Sequence, residues 1–356
     1  MNKRFAVAIC LLTLLLIAGF TLLRNSAAKR EYSSDQFLMD TLISIKVYGN
    51  DPGTMKTAVT QAYAEMRRIA ELADGFAQPG SAAYDASDVC RINARAGQGP
   101  VRVDRDTLAM LLLAKKYHEL SQGAFDVTVG PLMDLWGFGG KNPHLPPPDR
   151  IEAALELVGS KELVLNERER TAFLRREGMK LDLGAVAKGY ATEKALQVLK
   201  KHGIDKALID AGGNIRVLGQ NVHEGPWRIG IKDPRKTDAV VAVLQLEDAS
   251  AVTSADYYRG FEQAGKRYHH ILDPRTGYPA AHDMTVTVVT RDAGLADVLS
   301  TVFFVLPPED ALNMAGKMEG VDLFLVTADG RIRHTPTLRG RVEVKPGAAY
   351  RYDQGR

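Results

Sequence analysis

The chain has 356 residues, of which 45% are hydrophobic and 25% charged, so it is long enough to bury a substantial core. This ordinary composition excludes a disordered or low-complexity chain. Its net charge of +3 is unevenly placed, because the first 30 residues carry five basic residues and no acidic one, which leaves a near-neutral body of 41 basic and 43 acidic residues. Such a body gives no electrostatic reason to expect nucleic-acid binding.

The N-terminus predicts an export signal or a signal anchor over residues 1–30. Lys3 and Arg4 precede an apolar run over 5–23, and the small residues at 26–28 offer a cleavage site. The run is also just long enough to span a bilayer, while a buried core helix is the alternative. We therefore expect the chain at the extracytoplasmic (periplasmic) face of the inner membrane, anchored or released. Cys90 is the single cysteine beyond this segment, so no internal disulfide is expected.

The body, 31–340, is predicted as one large domain followed by a tail over 341–356. Apolar spacing predicts helices and strands that interleave without a regular βαβ rhythm, so an α+β fold is favoured over a doubly wound sheet. The predicted helices cover 54–74, 105–121, 149–157, 185–202 and 292–305. The predicted strands cover 35–49, 179–183, 206–210, 214–218, 227–232, 240–247, 284–290 and 321–327, and 123–148 is predicted to be rich in loops.

The first candidate site segment runs from Asp182 to Tyr190, where an apolar stretch ends and a helix is predicted to begin at about Ala185. A helix N-terminus presents free N–H groups and the positive end of the helix dipole, which suits a phosphate. Lys188 in the first turn opposes that dipole, and a bound anion would remove the conflict. A solvated surface lysine is the alternative.

Two further segments resemble functional loops. Gly212 and Gly213, after a predicted strand, permit a close backbone approach to a ligand or form an ordinary hairpin turn. His269 and His270 precede an Asp-Pro turn, and histidine is the usual general base near neutral pH. A histidine hydrogen-bonded within its own loop is the alternative.

The fourth segment is the apolar helix predicted over 292–305. Asp297 and Thr301 are four residues apart and share one helix face among strongly apolar neighbours. A buried carboxylate needs a partner, and carboxylate and hydroxyl oxygens are the hard ligands that Mg²⁺ prefers. An ion pair with a lysine or an arginine is the alternative. A phosphate-bearing ligand, a hard metal ion and a candidate base together indicate phosphoryl chemistry. They do not identify the nucleotide.

The same segments, in this order, resemble the ApbE family of FAD:protein FMN transferases over about residues 35–335. The matching residues are Met39 and Thr41, the stretch 121–131, the stretch 135–138, the stretch 182–189, the stretch 210–214, the stretch 253–257, the loop 270–277, and Asp297 with Ser300 and Thr301.

The resemblance implies a T-fold-like body with FAD bound in a cleft. The residues that would contact FAD are Met39, Tyr84, Ala124, Phe125, Asp126, Asp182, Lys188, Ile271 and Leu272. The metal ion would be held by the Ala185 carbonyl, Asp297 and Thr301, and would bridge the pyrophosphate. A protein hydroxyl would then attack the FMN phosphorus while AMP leaves, with His270 as the candidate base.

The resemblance also implies its partners, which are subunits of NADH:quinone oxidoreductase or Rnf type that carry covalent FMN outside the membrane. The chain departs from the family at Asp40 and Ala255, where glycine is usual, and its loop 75–87 is longer, which puts Tyr84 in question. Two other functions compete with transfer: a metal-dependent FAD pyrophosphatase that releases FMN and AMP, and an exported FAD-binding protein without activity.

Overall fold

The computed structural model describes residues 30–138, 140, 142–236, 238–345 and 350–353. The predicted export segment lies outside these residues, apart from Arg30. In the part of the chain that is described, no helix combines the length and the apolar character needed to cross a membrane.

Helices and strands interleave along the chain, as the α+β prediction requires. The helices are α1 (Pro52–Ala73), α2 (Ala82–Ala86), α3 (Asp88–Ala94), α4 (Arg105–Leu120), α5 (Gly130–Trp136), α6 (Pro148–Leu155), α7 (Ala187–Lys201), α8 (Ala293–Val305) and α9 (Pro308–Gly316). The first nine strands are β1 (Arg30–Leu38), β2 (Thr41–Gly49), β3 (Val101–Arg102), β4 (Leu163–Asn166), β5 (Thr171–Leu174), β6 (Lys206–Ala211), β7 (Asn214–Leu218), β8 (Trp227–Lys232) and β9 (Val240–Leu246). The remaining strands are β10 (Ser250–Ala255), β11 (Gly260–Gln263), β12 (Lys266–His269), β13 (Asp283–Thr290), β14 (Asp322–Thr327), β15 (Arg331–His334), β16 (Val342–Val344) and β17 (Arg351–Tyr352).

Within the described residues a nine-stranded sheet, in the order β1-β2-β6-β7-β10-β13-β14-β15-β17, forms the centre of the molecule. Its pairs are antiparallel except β15–β17. Because side chains alternate across a strand, β2 buries Ile43 and Ile45 against α1, α7 and α8 on one face. The opposite face, with Phe324 and Val326, packs on the small sheet β16-β9-β8. The mixed α/β fold is confirmed.

The strand predicted over 35–49 is wrong as a single element, because the chain forms the β1–β2 hairpin. Leu38 pairs with Thr41, and the two-residue turn places Met39 at φ 54° and Asp40 at φ 58°. Turns with two positive φ values match the twist of paired strands and are usually recognised by asparagine or glycine. Neither residue stands here, so the hairpin has no clear sequence signal.

Three other segments differ from their predictions. The stretch 179–183 is extended but makes only an isolated bridge at Lys180, and the following helix begins at Ala187 rather than Ala185. The loop-rich stretch contains α5, which has Pro131 in its first turn. The hairpin β11–β12 and the strand β10 were not predicted. Helices α1, α4 and α8 lie within two residues of their predicted bounds.

Candidate functional site

The N-terminus of α7 lies against α8 in the helical layer. The turn before α7 is held by Asp182, whose Oδ1 accepts from the Gly184 N–H at 2.7 Å and whose own N–H donates to Val127. Lys188 lies in the first turn of α7, as the sequence predicted, and its side chain is half-buried. Ala185 lies in the turn immediately before the helix, so its carbonyl belongs to the same region.

The two helices meet at Gly189. Its N–H donates to Oδ2 of Asp297 at 2.7 Å. A Cβ at this position would lie 2.2 Å from the Ala293 carbonyl oxygen and 2.5 Å from the Asp297 Cβ. Only glycine permits this approach, which brings the N-terminus of α7 to the carboxylate on α8.

Asp297 is a buried carboxylate, only 4% exposed. No lysine, arginine or histidine of the described residues forms an ion pair with it, so the ion-pair alternative finds no support in this part of the chain. Thr301 is half-buried one turn further along α8, while Ser300 donates to the Asp297 carbonyl and shares a hydrogen bond with Ser254. A buried carboxylate compensated by one N–H alone leaves an anionic position that a cation would stabilise.

The donor set suits a hard metal ion. A carboxylate, a hydroxyl and a carbonyl, from Asp297, Thr301 and Ala185, are all oxygen ligands of the kind that Mg²⁺ takes. Among the described residues, no group of three or more His, Cys, Asp or Glu side chains is arranged to hold a metal. A metal here would therefore need further oxygen ligands from water or from a bound phosphate.

The two histidines of the candidate loop have different roles. Nε2 of His269 donates to the Ala280 carbonyl at 2.7 Å, and its Nδ1 accepts from Ile271, so both ring nitrogens are used within the loop. Nδ1 of His270 lies 3.2 Å from the Arg259 carbonyl, which can only accept, so this nitrogen carries the proton. The second ring nitrogen of His270, Nε2, has no hydrogen-bond partner within the described residues and keeps its lone pair.

Electrostatic effects link this loop to α7. Burial lowers the pKa of His270 to about 3, and the positive charges of Arg259 and Lys188 act in the same direction. Burial raises the pKa of Asp182, while the same two cations oppose that change. The charges of Lys188 and Arg259 thus act on both Asp182 and His270, although the four residues come from three separate segments.

A cluster of aromatic and aliphatic side chains around Trp136 packs against the loop after His270. The indole N–H of Trp136 donates to the Gly277 carbonyl at 2.9 Å, and Gly277 has a φ of +77°. Ile271 is buried in the main core, and Leu272 in the cluster around Trp136. The backbone of this loop is therefore held on both sides while His270 remains half-buried.

The β1–β2 turn lies at the entrance to this region. Asp40 forms an ion pair with Arg259 at 3.3 Å. Thr41 packs against Gly212, where a Cβ would lie 2.2 Å from the threonine oxygen. Gly212 and Gly213 form the two-residue turn of the β6–β7 hairpin, in which Ala211 pairs with Asn214, so the hairpin-turn alternative is the one observed. The close approach of Gly212 to Thr41 brings the Met39 turn beside that segment.

The stretch 124–126 supports the site from within the core. Ala124 and Phe125 are buried, and the carboxylate of Asp126 accepts from Thr128 and Ser160 and pairs with His118. Both oxygens of Asp126 are thus already bonded inside the protein. Its side chain holds the loop, and a contact with a ligand would involve the backbone around it.

Tyr84 lies in α2 and lines an open groove of about 400 Å³ with Arg91, Arg95 and Arg102. In the same loop Phe76 is 54% exposed, and its neighbour Gly75 lies beside the Leu181 carbonyl, one residue before Asp182. Neither Phe76 nor Arg259 was predicted from the sequence as a site candidate. An aromatic residue in a long loop could have indicated the first, but Arg259 contacts His270 through its main-chain carbonyl, for which no sequence signal exists.

Comparisons with known proteins point to one family. A model of the ApbE family matches residues 39–325. The FAD:protein FMN transferase of Treponema pallidum is 34% identical over 356 residues, which cover 96% of this chain and 95% of the relative. The FAD:protein FMN transferase of Klebsiella pneumoniae is 35% identical over 84% of this chain and 90% of the relative.

Solved structures show the same similarity. The ApbE protein of Thermotoga maritima superposes with a TM-score of 0.80 at 34% identity, covering 88% of this chain and 99% of that one. The flavin transferase ApbE of Vibrio cholerae superposes with a TM-score of 0.78 at 26% identity and the same coverage.

Proposed function

Since this chain belongs to the ApbE family and transfers FMN from FAD to an acceptor protein, we propose that the reaction depends on Mg²⁺ and takes place where α7 meets α8. One observation carries the proposal: the buried carboxylate of Asp297 has no cationic partner among the described residues and lies at the helix N-terminus that carries Lys188. Pure binding of FAD does not require a metal ion there, whereas phosphoryl transfer commonly does.

The metal would be held by the carboxylate of Asp297, the hydroxyl of Thr301 and the carbonyl of Ala185. When bound, Mg²⁺ would neutralise negative charge on the pyrophosphate of FAD. The ammonium group of Lys188 and the N–H groups at the start of α7 supply positive charge to the same phosphates.

The cleft would hold FAD along the residues that the family resemblance implies. Met39 would lie at its entrance, Asp182 and Lys188 at the phosphate end, and the backbone of Ile271 and Leu272 along one wall. The stretch from Ala124 to Asp126 would contribute its backbone to the opposite wall. Tyr84 is the proposed stacking residue by resemblance. The exposed ring of Phe76 competes for that role, because Phe76 follows Gly75, which lies beside the Leu181 carbonyl.

The transfer step moves one phosphoryl group. The hydroxyl oxygen of an acceptor threonine or serine forms a bond with the FMN phosphorus, and the bond from that phosphorus to the bridging oxygen breaks. AMP leaves with the bridging oxygen, and the hydroxyl proton passes to Nε2 of His270. The neutral imidazole, with Nδ1–H fixed on the Arg259 carbonyl, has the lone pair that this step needs.

The acceptors and the location follow from the resemblance and from the N-terminal sequence. We propose flavoprotein subunits of NADH:quinone oxidoreductase or Rnf type as acceptors, modified at the periplasmic side of the inner membrane. The basic and apolar N-terminus supports export, because an acceptor outside the membrane requires a transferase outside it.

The test is a labelling experiment with the full chain, FAD, Mg²⁺ and a purified Rnf-type acceptor domain. We expect the acceptor to gain the mass of FMN and in-gel flavin fluorescence, and EDTA and Asp297→Asn to abolish both. Asp310→Asn, the same change at an exposed acid on α9, is the matched control and should retain transfer. His270→Gln should lose transfer while it still binds FAD.

Each competing function gives a different product. Free FMN and AMP with an unmodified acceptor would favour the pyrophosphatase. FAD bound and intact after long incubation with Mg²⁺ would favour a binding protein. Full transfer by Asp297→Asn in the presence of EDTA would overturn the metal-dependent mechanism.

A further inference from the structure

Arg259 links three parts of the site that are distant in sequence. Its main-chain carbonyl accepts from the backbone N–H of His270 at 3.0 Å and from the ring Nδ1–H at 3.2 Å. Its guanidinium pairs with Asp40, in the β1–β2 turn, at 3.3 Å. The side chains of Arg259 and Asp40 are 53% and 78% exposed, so neither is fixed by packing.

We propose that the guanidinium of Arg259 binds a phosphate of FAD during transfer, and that Asp40 competes with the phosphate for it. This inference rests on the proposed function, because it assumes that the phosphates lie between Lys188 and His270. Asp40 would then be an intrachain competitor that holds the arginine at the entrance until the donor arrives.

The position of the arginine supports this role. The backbone of Arg259 is tied to His270, so its side chain starts within one arginine length of the candidate base. Its charge and that of Lys188 both act on Asp182 and on His270. A pyrophosphate bound beside these two groups would meet both cations.

The relative strengths of the Arg259–Asp40 and Arg259–phosphate contacts determine whether the arginine exchanges Asp40 for the donor. An exposed ion pair between long side chains contributes little, because solvent screens it and both side chains lose freedom. A guanidinium–phosphate contact is charge-assisted and bidentate, and the pyrophosphate of FAD carries two negative charges where a carboxylate carries one. The arginine can therefore leave Asp40 for the donor at small cost.

The turn that carries Asp40 fixes the competitor in place. Met39 and Asp40 both have positive φ within a two-residue turn between paired strands, and Leu38 pairs directly with Thr41. The carboxylate can therefore move only by side-chain rotation. Removing its charge changes the competition without changing a packed contact, which makes the effect measurable.

The experiment measures the Kd of the full chain for FAD by quenching of flavin fluorescence, with Mg²⁺ and without acceptor. Arg259→Gln should weaken FAD binding by about tenfold, as expected for loss of one charge-assisted contact. Asp40→Asn should instead tighten it by about two- to fivefold, the range of an exposed ion pair. Arg259→Lys should restore part of the lost affinity, since charge remains while the bidentate geometry does not.

Two controls separate this effect from a structural one. Riboflavin carries the same ring system without phosphate, so its Kd should be unchanged by Asp40→Asn. In an Arg259→Gln background, Asp40→Asn should no longer tighten FAD binding. Unchanged or weaker FAD binding by Asp40→Asn, equal tightening of riboflavin, or tightening that persists without the arginine would each overturn the proposal.

The outcomes also separate this proposal from the transferase mechanism. If the Kd pattern holds but the wild type transfers no FMN, the phosphate contact stands and the proposed mechanism fails. If the wild type transfers FMN and Asp40→Asn does not tighten FAD binding, the proposed competition is wrong while the transfer mechanism stands. Should Arg259→Gln not fold, Asp40→Asn with FAD and riboflavin still decides the question.

Discussion

The N–H of Gly189 donates to Oδ2 of Asp297 at 2.7 Å, and the glycine has no room for a side chain against α8. This contact fixes the distance between the helix that carries Lys188 and the helix that carries Asp297 and Thr301. The phosphate end and the metal end of the candidate site are therefore positioned by one backbone contact.

Gly189→Ala should separate the two helices. The new Cβ would meet the Ala293 carbonyl oxygen at 2.2 Å, so we expect a loss of about 1–3 kcal/mol in unfolding free energy from overpacking. FMN transfer should fall by more than the folded fraction does. Gly316→Ala on α9 is the control, because no atom lies within 4 Å of its Cβ, and it should be neutral. Thermal melts and transfer rates measured together check this, and wild-type transfer by Gly189→Ala would contradict it.

Two features of the candidate segments were predictable because each rests on local chemistry. The apolar stripe of α8 places Asp297 in the core, and the adjacent Gly212 and Gly213 mark the β6–β7 turn. The β1–β2 hairpin was not predictable, because Met39 and Asp40 take positive φ without the residues that usually signal it. The extended stretch before Asp182 has the apolar pattern of a strand, but it pairs with neighbouring backbone only at Lys180 and Asp182.

The contact between Arg259 and His270 was likewise not predictable from the sequence. It depends on the hairpin β11–β12, which returns the chain so that Gly260 pairs with His269. Register of this kind is set by tertiary packing around Trp136 rather than by local propensity, because Phe261 and Tyr268 stack within that cluster.

His118 and His270 should titrate in opposite directions from the usual histidine value. The hydrogen bond with Asp126 raises the pKa of His118, whereas burial lowers the pKa of His270 to about 3. His270 should therefore stay neutral between about pH 5 and 8, while His118 takes up its proton above about pH 6.5 as the pH falls. NMR titration of the imidazole Cε1–H signals checks this, with His118→Gln and His270→Gln spectra for assignment. A His270 signal with a midpoint near the usual histidine value would contradict the prediction.

Asp283 should make the protein less stable as pH rises. The side chain is 3% exposed beside a cavity of about 170 Å³, and neither oxygen has a hydrogen-bond partner among the described residues. Burial raises its pKa from 3.8 to about 8. Between these values the unfolded chain is ionised while the folded chain retains the proton, so folding stability falls from about pH 4 to pH 8.

Asp283→Asn should remove that dependence. The asparagine amide carries no proton that titrates in this range, so the stability of the variant relative to the wild type should rise as pH increases. Between about pH 5 and pH 8 we expect a gain of a few kcal/mol, on the order expected for several pKa units. Urea unfolding at three pH values across that range measures the change, with Asp310→Asn as an exposed control. Parallel pH profiles for Asp283→Asn and the wild type would show that the carboxyl is ionised in the folded chain.

A comparison of Trp136 with Trp227 tests whether the position of the His270 loop matters for transfer. Each indole N–H donates to a glycine carbonyl at 2.9 Å, Gly277 in the first case and Gly219 in the second. Trp227 lies in the core on the opposite face of the main sheet, whereas Trp136 supports the loop that carries His270. Phenylalanine at either position removes one hydrogen bond and keeps an aromatic ring, at a cost of about 1 kcal/mol or somewhat more.

The two substitutions should therefore have similar effects on stability and different effects on transfer. Trp136→Phe leaves the Gly277 carbonyl without its partner, so the backbone from His270 to Gly277 is less firmly positioned. We expect kcat for FMN transfer to fall by about tenfold, since small displacements of a base carry large penalties in rate. Trp227→Phe should retain the wild-type rate. Equal transfer rates at equal loss of stability would show that Trp136 stabilises the fold without positioning the loop for catalysis.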